Sequence, residues 1–268
     1  MRRGPGQRYA PDMQELVLSE SIGWDHGEAK VYRAVWNGQD VVLKRFAKLK
    51  KYASEVYGYR VWQKQMPRLL HADLEGMNLI FERLGADCAL NVPPTEAMYV
   101  AAGAALRRMH DDAPRGVPFD DGKIDLERQL LTFIPRARGV LHPAQVDRVD
   151  ALTRDLLRRP WPPTVLRHCD YTARNWLWDG THLTVIDPEH CRPGPAVLDA
   201  AKMHNDGLPP ELAQAFQFGY GRPWTPQESA FLNVALCFQA LTLGVWCAEH
   251  GDPEGVRTMQ AALDRLIP

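Results

Sequence analysis

Four polar residues within the segment 167–199 have the types and the spacing of a catalytic site. His168, Asp170 and Asn175 form the pattern His-x-Asp-x4-Asn, and Asp187 follows after an apolar stretch. Asp170 falls in a loop between apolar segments, where a carboxylate can accept the proton of a substrate hydroxyl. Asn175 and Asp187 offer oxygen ligands, which suit Mg²⁺ and suit soft metals poorly. The pattern predicts a phosphoryl-transfer site with one base and two metal ligands.

A predicted β-hairpin holds the two candidate metal ligands together. Apolar runs over Trp176–Trp178 and Leu183–Ile186 flank an Asp-Gly pair, which is typical of a tight turn. Asn175 directly precedes the first run and Asp187 directly follows the second. Pairing of the two strands therefore brings these side chains close to each other.

The segment resembles the catalytic core of the aminoglycoside phosphotransferase family, a branch of the protein-kinase-like fold. The match comprises the His-x-Asp-x4-Asn pattern, the downstream Asp187, and a Gly-Pro pair shortly before Asp199. The resemblance implies that Asp170 is the catalytic base and that Asn175 and Asp187 hold Mg²⁺. It also implies that ATP is the phosphoryl donor and that Asp199 braces the catalytic loop.

The first part of the chain offers the cation and the carboxylate that a kinase-like enzyme needs near the phosphates. Lys44 ends an apolar run, and Glu55 shares a predicted helix face with Tyr59, Trp62 and Met66. A carboxylate on an apolar face is costly unless a cation pairs with it. We expect Lys44 to be that partner and to contact the nucleotide. The alternative is an exposed Lys44, like the lysines that follow it.

Two glycines are the candidates for a phosphate-binding loop. Gly23 and Gly27 lie four residues apart between the first two predicted strands, where backbone amides can approach phosphates. The loop lacks the full Gly-rich pattern of protein kinases and carries two acidic residues, so an ordinary hairpin loop is the alternative.

The adenine site is assigned by the resemblance alone. Glu82 and Leu84 lie in a segment that resembles the hinge between the two lobes of the family. On this interpretation Val42, Leu177 and Ile186 enclose the base.

The sequence departs from the family pattern at two positions. Cys169 stands where the family usually has Gly, and Pro188 stands where it usually has an aromatic residue. Pro fixes φ and removes an amide donor, which leaves the loop geometry after Asp187 open. Glu189 offers either a metal contact or a solvated acid. The His-Cys pairs at 168–169 and 190–191 lack the spacing of zinc sites, so we do not predict zinc.

The elements that position these residues divide the chain into two parts. The first contains an Asn-Gly hairpin signal between Val31–Trp36 and Gln39–Phe46, and a predicted helix over Tyr52–Gln65. The second is mostly helical. We therefore predict an α+β fold with two lobes, as in protein kinases. Residues 1–84 form a small β-rich N-lobe for nucleotide phosphates, and residues 85–268 form a helical C-lobe with the catalytic loop and the substrate.

Composition narrows the class of protein. The chain has 268 residues, of which 45% are hydrophobic and 24% charged, as in soluble globular proteins. A formal net charge of -1 argues against a non-specific nucleic-acid binder. Five cysteines without a CxxC pair, and no apolar segment after the N-terminal arginines, predict a reducing, cytoplasmic location. The apolar stretch Ala230–Ala248 predicts a buried core helix, not membrane insertion.

The short connection after the second metal ligand favours a small acceptor. Eleven residues separate Asp187 from Asp199, which leaves no room for a protein-kinase activation segment. We expect a hydroxylated small molecule, by the resemblance an antibiotic of aminoglycoside, nucleoside or peptide type. The alternatives are a sugar, amino-alcohol or lipopolysaccharide-core kinase, a protein kinase, and a silent nucleotide-binding protein. Residues 191–268 carry 5 basic and 8 acidic residues, which leans toward a cationic acceptor. The oligomeric state stays open.

Overall fold

The computed structural model describes residues 16–22, 29–112, 121–205 and 208–267, without the side chains at positions 121, 122, 125, 202, 204 and 205. An antiparallel five-stranded sheet occupies the first part of the chain, in the order β1-β2-β3-β5-β4. Its strands are β1 (Leu16–Ser21), β2 (Ala29–Trp36), β3 (Gln39–Phe46), β4 (Leu69–Asp73) and β5 (Asn78–Glu82). Helix α1 (Leu49–Val61) connects β3 to β4.

The hairpin between β2 and β3 forms where the sequence predicts it. Asn37 and Gly38 have positive φ angles of 50° and 73°, which Asn and Gly tolerate. Side chains alternate along a strand, so Val42 and Lys44 share one face of β3 while Leu43 is buried on the other face. The hairpin register thus determines which β3 side chains lie on the face that carries Lys44.

The prediction for α1 is wrong at both ends. The helix begins three residues before Tyr52. This start was not predicted because Lys48, at the N-cap, forms no side-chain hydrogen bond and gives no capping signal in the sequence. It ends at Val61, because Trp62 leaves helical geometry and buries its indole, whose Nε1 donates to the carbonyl of Met109 at 2.9 Å. Glu55 still lies in the middle of the helix, as expected.

Helices dominate the rest of the described chain, and the predicted α+β class is confirmed. They are α2 (Glu96–Asp112), α3 (Asp121–Ala137), α4 (Pro143–Arg158), α5 (Leu198–Asn205), α6 (Pro210–Tyr220), α7 (Pro226–Glu249) and α8 (Pro253–Leu266). Helices α2 and α6 pack closely at Gly103 and Gly219, where a Cβ atom would overlap the backbone of the opposite helix. The sheet ends at Glu82 and the first long helix starts at Glu96. The lobe boundary at residue 84 stays a prediction.

Helix α7 is the one helix in the described chain that is long and apolar enough to cross a bilayer by length and composition. Its mean hydropathy over the best window is 1.7, and 56% of that window is buried inside the protein. Phe231, Leu236 and Leu241 pack into two separate core clusters with neighbouring helices. These contacts support the predicted core helix.

Five short strands shape the loops of the second part. They are β6 (Asp87–Cys88), β7 (Thr164–Arg167), β8 (Trp176–Trp178), β9 (Leu183–Val185) and β10 (Arg192–Pro195). Strands β6, β8 and β9 form one sheet, and β7 pairs with β10 in another. The segment from residue 168 to residue 175, here called the catalytic loop, therefore starts from one small sheet and ends at the other.

Candidate active site

Lys44 is the centre of a buried charge cluster. Its Nζ lies 2.6 Å from Glu55 Oε2, 2.7 Å from Asp187 Oδ1 and 3.3 Å from Glu189 Oε2. The side chains of Lys44 and Glu55 are 8% and 1% exposed, so the expected pair is confirmed and the alternative of an exposed Lys44 is wrong. Burial alone would lower the pKa of Lys44, but the three carboxylates outweigh it and raise that pKa above its ordinary value.

A cavity of about 720 Å³, here called the Lys44 cavity, joins the strands of the first part to the hairpin of the second. It is lined by nine residues predicted for nucleotide or metal binding: Val42, Lys44, Glu55, Glu82, Leu84, Asn175, Leu177, Ile186 and Asp187. The predicted Gly23 and Gly27 lie outside the described residues. Segments more than 140 residues apart thus meet in one site.

The predicted hairpin brings Asn175 and Asp187 together. Trp176 pairs with Val185, and the amide of Ile186 donates to the carbonyl of Asn175 at 2.9 Å. The Nδ2 of Asn175 donates to the carbonyl and to Oδ2 of Asp170, at 2.8 and 3.0 Å. The amide oxygen of Asn175 and the carboxylate of Asp187 are oxygen donors of the kind that Mg²⁺ prefers, so the donor set fits the predicted metal.

Asp199 braces the catalytic loop from behind, as the resemblance implies. Its Oδ2 accepts from the amide of His168 at 2.9 Å and its Oδ1 from the amide of Cys169 at 2.8 Å. His110 Nε2 lies 3.0 Å from Oδ2. Burial would raise the pKa of Asp199, but the hydrogen bond from His110 and the charge of Arg167 hold it below its ordinary value. Asp199 therefore stays ionised, and both of its carboxylate oxygens remain available as hydrogen-bond acceptors for the loop amides.

His110 is a residue of the site that was not predicted from the sequence, although a signal for it exists. His110 follows Leu106 by one helical turn on the apolar face of α2 and is 6% exposed. A buried polar side chain at such a position needs hydrogen-bond partners. His110 has two: Asp199 at Nε2, and Tyr220, whose Oη lies 3.0 Å from Nδ1.

His168 orients the base from the same side. Its Nε2 lies 2.9 Å from the carbonyl of Ile186, and the amide of Asp170 donates to its Nδ1 at 3.3 Å. Both contacts fit one neutral tautomer, protonated at Nε2. Burial lowers the pKa of His168 and outweighs the opposing charge of Asp199, which favours that neutral form.

The two departures from the family pattern have different structural consequences. Cys169 has a φ of 67°, so the position requires left-handed backbone, and not only a small side chain. Pro188 is accommodated by Gly58 of α1, where a Cβ atom would lie 2.6 Å from the Cβ of Pro188. Asp187, which precedes it, also has a positive φ, of 65°.

Glu189 is not the solvated acid that was one of the two expectations. Its side chain is 13% exposed, and its Oε1 lies 3.2 Å from Lys51 Nζ. Burial would raise its pKa, but His190, Lys44 and Lys51 together lower it well below its usual range. Carboxylate oxygens of Glu55, Asp187 and Glu189 lie within 4.8 Å of one another, the one group in the described chain with the spacing of a metal site.

A second cavity, of about 880 Å³, borders the other end of the catalytic loop. Arg167 and Cys169 line it, together with α7, α3 and the start of α1, and it is here called the Arg167 cavity. Asp170 follows Cys169 in the chain and binds Asn175 of the Lys44 cavity. The predicted base therefore lies where the two cavities approach each other.

Solved structures of small-molecule kinases share the whole fold, while no curated protein matches the sequence. A choline/ethanolamine kinase family protein from Mesorhizobium loti aligns with a TM-score of 0.73 at 19% identity, over 93% of this chain and 88% of that one. A thermostable mutant of aminoglycoside phosphotransferase APH(4)-Ia, in ternary complex with ADP and hygromycin B, aligns with a TM-score of 0.68 at 15% identity, over 93% of both chains. Macrolide 2'-phosphotransferase type I aligns with a TM-score of 0.64 at 18% identity, also over 93% of both.

These neighbours confirm the protein-kinase-like, two-lobe fold. The sequence also matches the phosphotransferase enzyme family, APH, over residues 22–232, a span that includes both parts of the site. The chain belongs to this phosphotransferase enzyme family.

Proposed function

We propose that the protein transfers the γ-phosphoryl group of ATP, with Mg²⁺, to a hydroxyl of a small molecule. The observation that carries the proposal is the junction of Lys44, Asp187, Asn175 and Asp170. Lys44 Nζ lies 2.7 Å from Asp187, and Asp170 is bound to Asn175 at 3.0 Å. A cation for phosphates, two oxygen ligands for a metal, and a base for a hydroxyl are the parts that phosphoryl transfer requires.

Nucleotide binding is proposed for the Lys44 cavity. Its volume of about 720 Å³ is in the range of ordinary ligand sites, and its apolar walls include Val42, Leu177 and Ile186. Glu82 and Leu84 supply the backbone that would meet the adenine edge. The ADP bound to the related APH(4)-Ia structure supports a nucleotide as the ligand.

The chemistry assigned to this chain is a direct in-line displacement. Asp170 accepts the proton of the acceptor hydroxyl while that oxygen attacks the γ-phosphorus, and the bond from the phosphorus to ADP breaks. Lys44, held by Glu55, stabilises negative charge on the phosphates. His168 and Asp199 hold the loop backbone, which keeps the carboxylate of Asp170 in position.

Asn175 and Asp187 are the proposed Mg²⁺ ligands, since both line the Lys44 cavity with oxygen donors. When bound, the metal neutralises charge that develops on the phosphates. Asp187 and Lys44 are in contact in the protein as described, so the metal and the lysine would share this carboxylate.

Transfer of phosphate from γ-labelled ATP tests the proposal. Wild type and Asp170→Ala are compared with Mg²⁺ and a panel of aminoglycosides, nucleosides, peptide antibiotics, amino alcohols and sugars. We expect one class to be labelled, and Asp170→Ala to reduce the rate by about 10²–10⁴-fold, the range for a lost general base. ATP affinity should stay unchanged, because Asp170 does not line the Lys44 cavity.

Asp147→Ala is the matched control. Asp147 is exposed and its partner is Arg138 on the surface, so this variant should keep full activity. Transfer by Asp170→Ala at the wild-type rate, or absence of ATP binding by the wild type, would contradict the proposal. Labelling of proteins in place of small molecules would point to a protein kinase.

A further inference from the structure

Among the described residues that line the Arg167 cavity, six are Lys or Arg and one is a carboxylate. Its Lys and Arg residues come from α1, α3, β7 and β10 and from the segment before α1: Lys48, Lys50, Lys51, Arg128, Arg167 and Arg192. Glu189 is the carboxylate among the described lining residues, and it already contacts Lys44 at 3.3 Å and Lys51 at 3.2 Å. The described lining therefore has more cations than carboxylates, and Lys48, Lys51 and Arg192 also have interactions within the protein.

Arg167 is the buried member of this set. It is 8% exposed, and its Nε has no hydrogen-bond partner. No carboxylate of the described chain forms an ion pair with it. A guanidinium carries its positive charge at every physiological pH. A buried guanidinium with an unsatisfied Nε and no ion pair is costly, which indicates that a ligand supplies the missing contacts.

The protein itself does not provide that partner in Asp199. The charge of Arg167 lowers the pKa of Asp199, so the two groups interact at a distance. The oxygens of Asp199 already accept from the amides of His168 and Cys169 and contact His110. Gly194 leaves room for the guanidinium, because a Cβ atom there would overlap Arg167 Nε.

A second arginine lies beside the first. Arg192 of β10 is directly opposite Arg167 of β7 in the antiparallel ladder, and both line the cavity. Arg192 is exposed and has an interaction within the protein, so it adds positive charge to the lining while Arg167 is the buried cation of the two.

The location of Arg167 ties the anion to the reaction. Arg167 precedes Asp170 by three residues, so their Cα atoms are at most about 11 Å apart. Helix α7 contributes the apolar side chains of Phe231, Val234 and Phe238 to the lining, and Cys169, which directly precedes Asp170, lines the same cavity. A small molecule bound at the guanidinium and the apolar side chains therefore lies next to the loop that carries the proposed base.

Resting on the proposed function, we propose that the acceptor carries an oxyanion, a carboxylate or a phosphate, which Arg167 binds while the acceptor hydroxyl lies at Asp170. The planar guanidinium matches the two oxygens of such a group. This replaces the expectation of a cationic acceptor, which came from the acidic excess of residues 191–268.

The acids behind that excess have other roles in the described chain. Glu249 pairs with Arg136, Glu254 pairs with Arg257, and Asp252 caps α8 by accepting from the amide of Gly255. None of these three lines the Arg167 cavity. Their negative charge therefore does not describe the environment of the acceptor.

Anion binding is tested on the protein saturated with Mg-ADP, which fills the phosphate region of the Lys44 cavity. Inorganic phosphate, sulfate and malonate are titrated against chloride at equal ionic strength, by calorimetry and by the thermal midpoint. We expect the wild type to bind at least one of these oxyanions. Arg167→Gln should bind it at least about tenfold more weakly, a factor that corresponds to about 1.4 kcal/mol.

Two further variants separate recognition from folding. Arg138→Gln removes an exposed arginine away from both cavities and should bind the oxyanion like the wild type. Arg167→Lys keeps the charge but loses the planar fork, so its affinity should be intermediate. Equal binding by the wild type and Arg167→Gln, or no binding by the wild type, would overturn the proposal.

Matched acceptors complete the test. Glycerol is compared with glycerate and glycerol 3-phosphate, glucose with glucose 6-phosphate, and choline and hygromycin B serve as cations. We expect transfer to favour the oxyanion member of each pair, with a KM that rises in Arg167→Gln. Transfer to a cation with an unchanged KM in that variant would overturn the oxyanion proposal and leave the proposed function intact. Oxyanion binding without Asp170-dependent transfer would be the failure of the proposed function alone.

Discussion

The Lys44 cavity and the Arg167 cavity border the same catalytic loop and treat their buried cations in opposite ways. Lys44 contacts three carboxylates, at 2.6, 2.7 and 3.3 Å. Arg167 is buried to a similar degree, yet its Nε has no hydrogen-bond partner and no described carboxylate forms an ion pair with it. Three carboxylates thus surround the cation Lys44, an arrangement that suits a metal ion. The described lining of the Arg167 cavity has more cations than carboxylates, which suits an anion.

The difference separates two uses of a buried cation: Lys44 is paired within the protein, whereas Arg167 is proposed to pair with a ligand. Glu55 and Lys44 stabilise each other without a ligand, so the position of Lys44 is fixed before a nucleotide arrives. The Arg167 guanidinium lies against Gly194 without an ion pair in the described chain, and on our proposal a ligand supplies its partner. Removal of each cation should therefore have opposite consequences for the stability of the empty protein.

Lys44→Met should have the largest effect on stability. It leaves Glu55 buried beside Asp187 and Glu189 without a cation, and breaking a buried pair in this way costs about 3–5 kcal/mol. Urea denaturation, monitored by tryptophan fluorescence, measures the loss. The double variant Lys44→Met, Glu55→Leu should recover much of it. A single variant as stable as the wild type would show that Glu55 is not held by Lys44.

The same substitution in the other cavity provides the comparison. Arg167→Met removes a buried charge that has no ion pair in the described chain and interacts with Asp199 only at a distance, so the free energy of unfolding of the ligand-free protein should change by less than about 1 kcal/mol, or rise. The oxyanion-dependent increase in thermal midpoint should disappear. A loss of several kcal/mol without any ligand would mean that the protein itself compensates Arg167, and the contrast between the cavities would fail.

Asp187→Asn should impair phosphoryl transfer at the Lys44 cavity without changing anion binding in the Arg167 cavity. It weakens the oxygen set proposed for Mg²⁺ and releases Lys44 from one of its partners. We expect kcat to fall by about 10²–10³-fold, the usual effect of losing one preorganised electrostatic group. Oxyanion binding in the Arg167 cavity should stay at the wild-type level. Asp147→Asn, at an exposed position, is the control for both measurements.

Gly58→Ala tests how the Lys44 cavity depends on Pro188. The new Cβ atom would lie 2.6 Å from the Cβ of Pro188, so either α1 or the segment after Asp187 must shift. Overpacking of this kind costs about 1–3 kcal/mol, and kcat should fall because Asp187 directly precedes Pro188. Gly85→Ala is the control, since a Cβ atom there meets nothing within 4 Å. Equal stability and activity of the two variants would contradict the contact.

Local patterns in the sequence predicted the parts of the site that short segments determine. Strand alternation and turn residues predicted the β2–β3 hairpin and the turn that joins Asn175 to Asp187. An acid on an apolar helix face predicted the pair between Glu55 and Lys44, although their segments meet only in the fold. The hairpins depend on residues that are adjacent in the chain, and the ion pair was predictable because a carboxylate on an apolar face requires a cation nearby.

Long-range packing determined what the sequence did not predict. Glu189 meets Lys51 across 138 residues, and both charges have many other acceptable partners in the sequence. The lack of a carboxylate near Arg167 is a property of the whole cavity wall, to which several separate elements contribute. Charge counts over a long stretch misrepresent such a wall, because surface acids on α7 and α8 enter the sum without lining it.

Cys169→Gly should have the smallest effect, and it concerns the loop that both cavities share. The φ of 67° costs an L-residue about 1–2 kcal/mol, and the greater freedom of Gly in the unfolded chain offsets about 0.5–1 kcal/mol of the gain. The net increase in unfolding free energy should be about 0.5–1 kcal/mol, measured by urea denaturation.

Cys88→Gly is the matched control: its φ of −61° needs no glycine, so stability should fall there. The amide of residue 169 still donates to Asp199 in Cys169→Gly, so kcat should be retained. A loss of stability would mean that contacts of the thiol, such as Sγ to the carbonyl of Arg167 at 3.8 Å, outweigh the backbone strain and tie the loop to the Arg167 cavity.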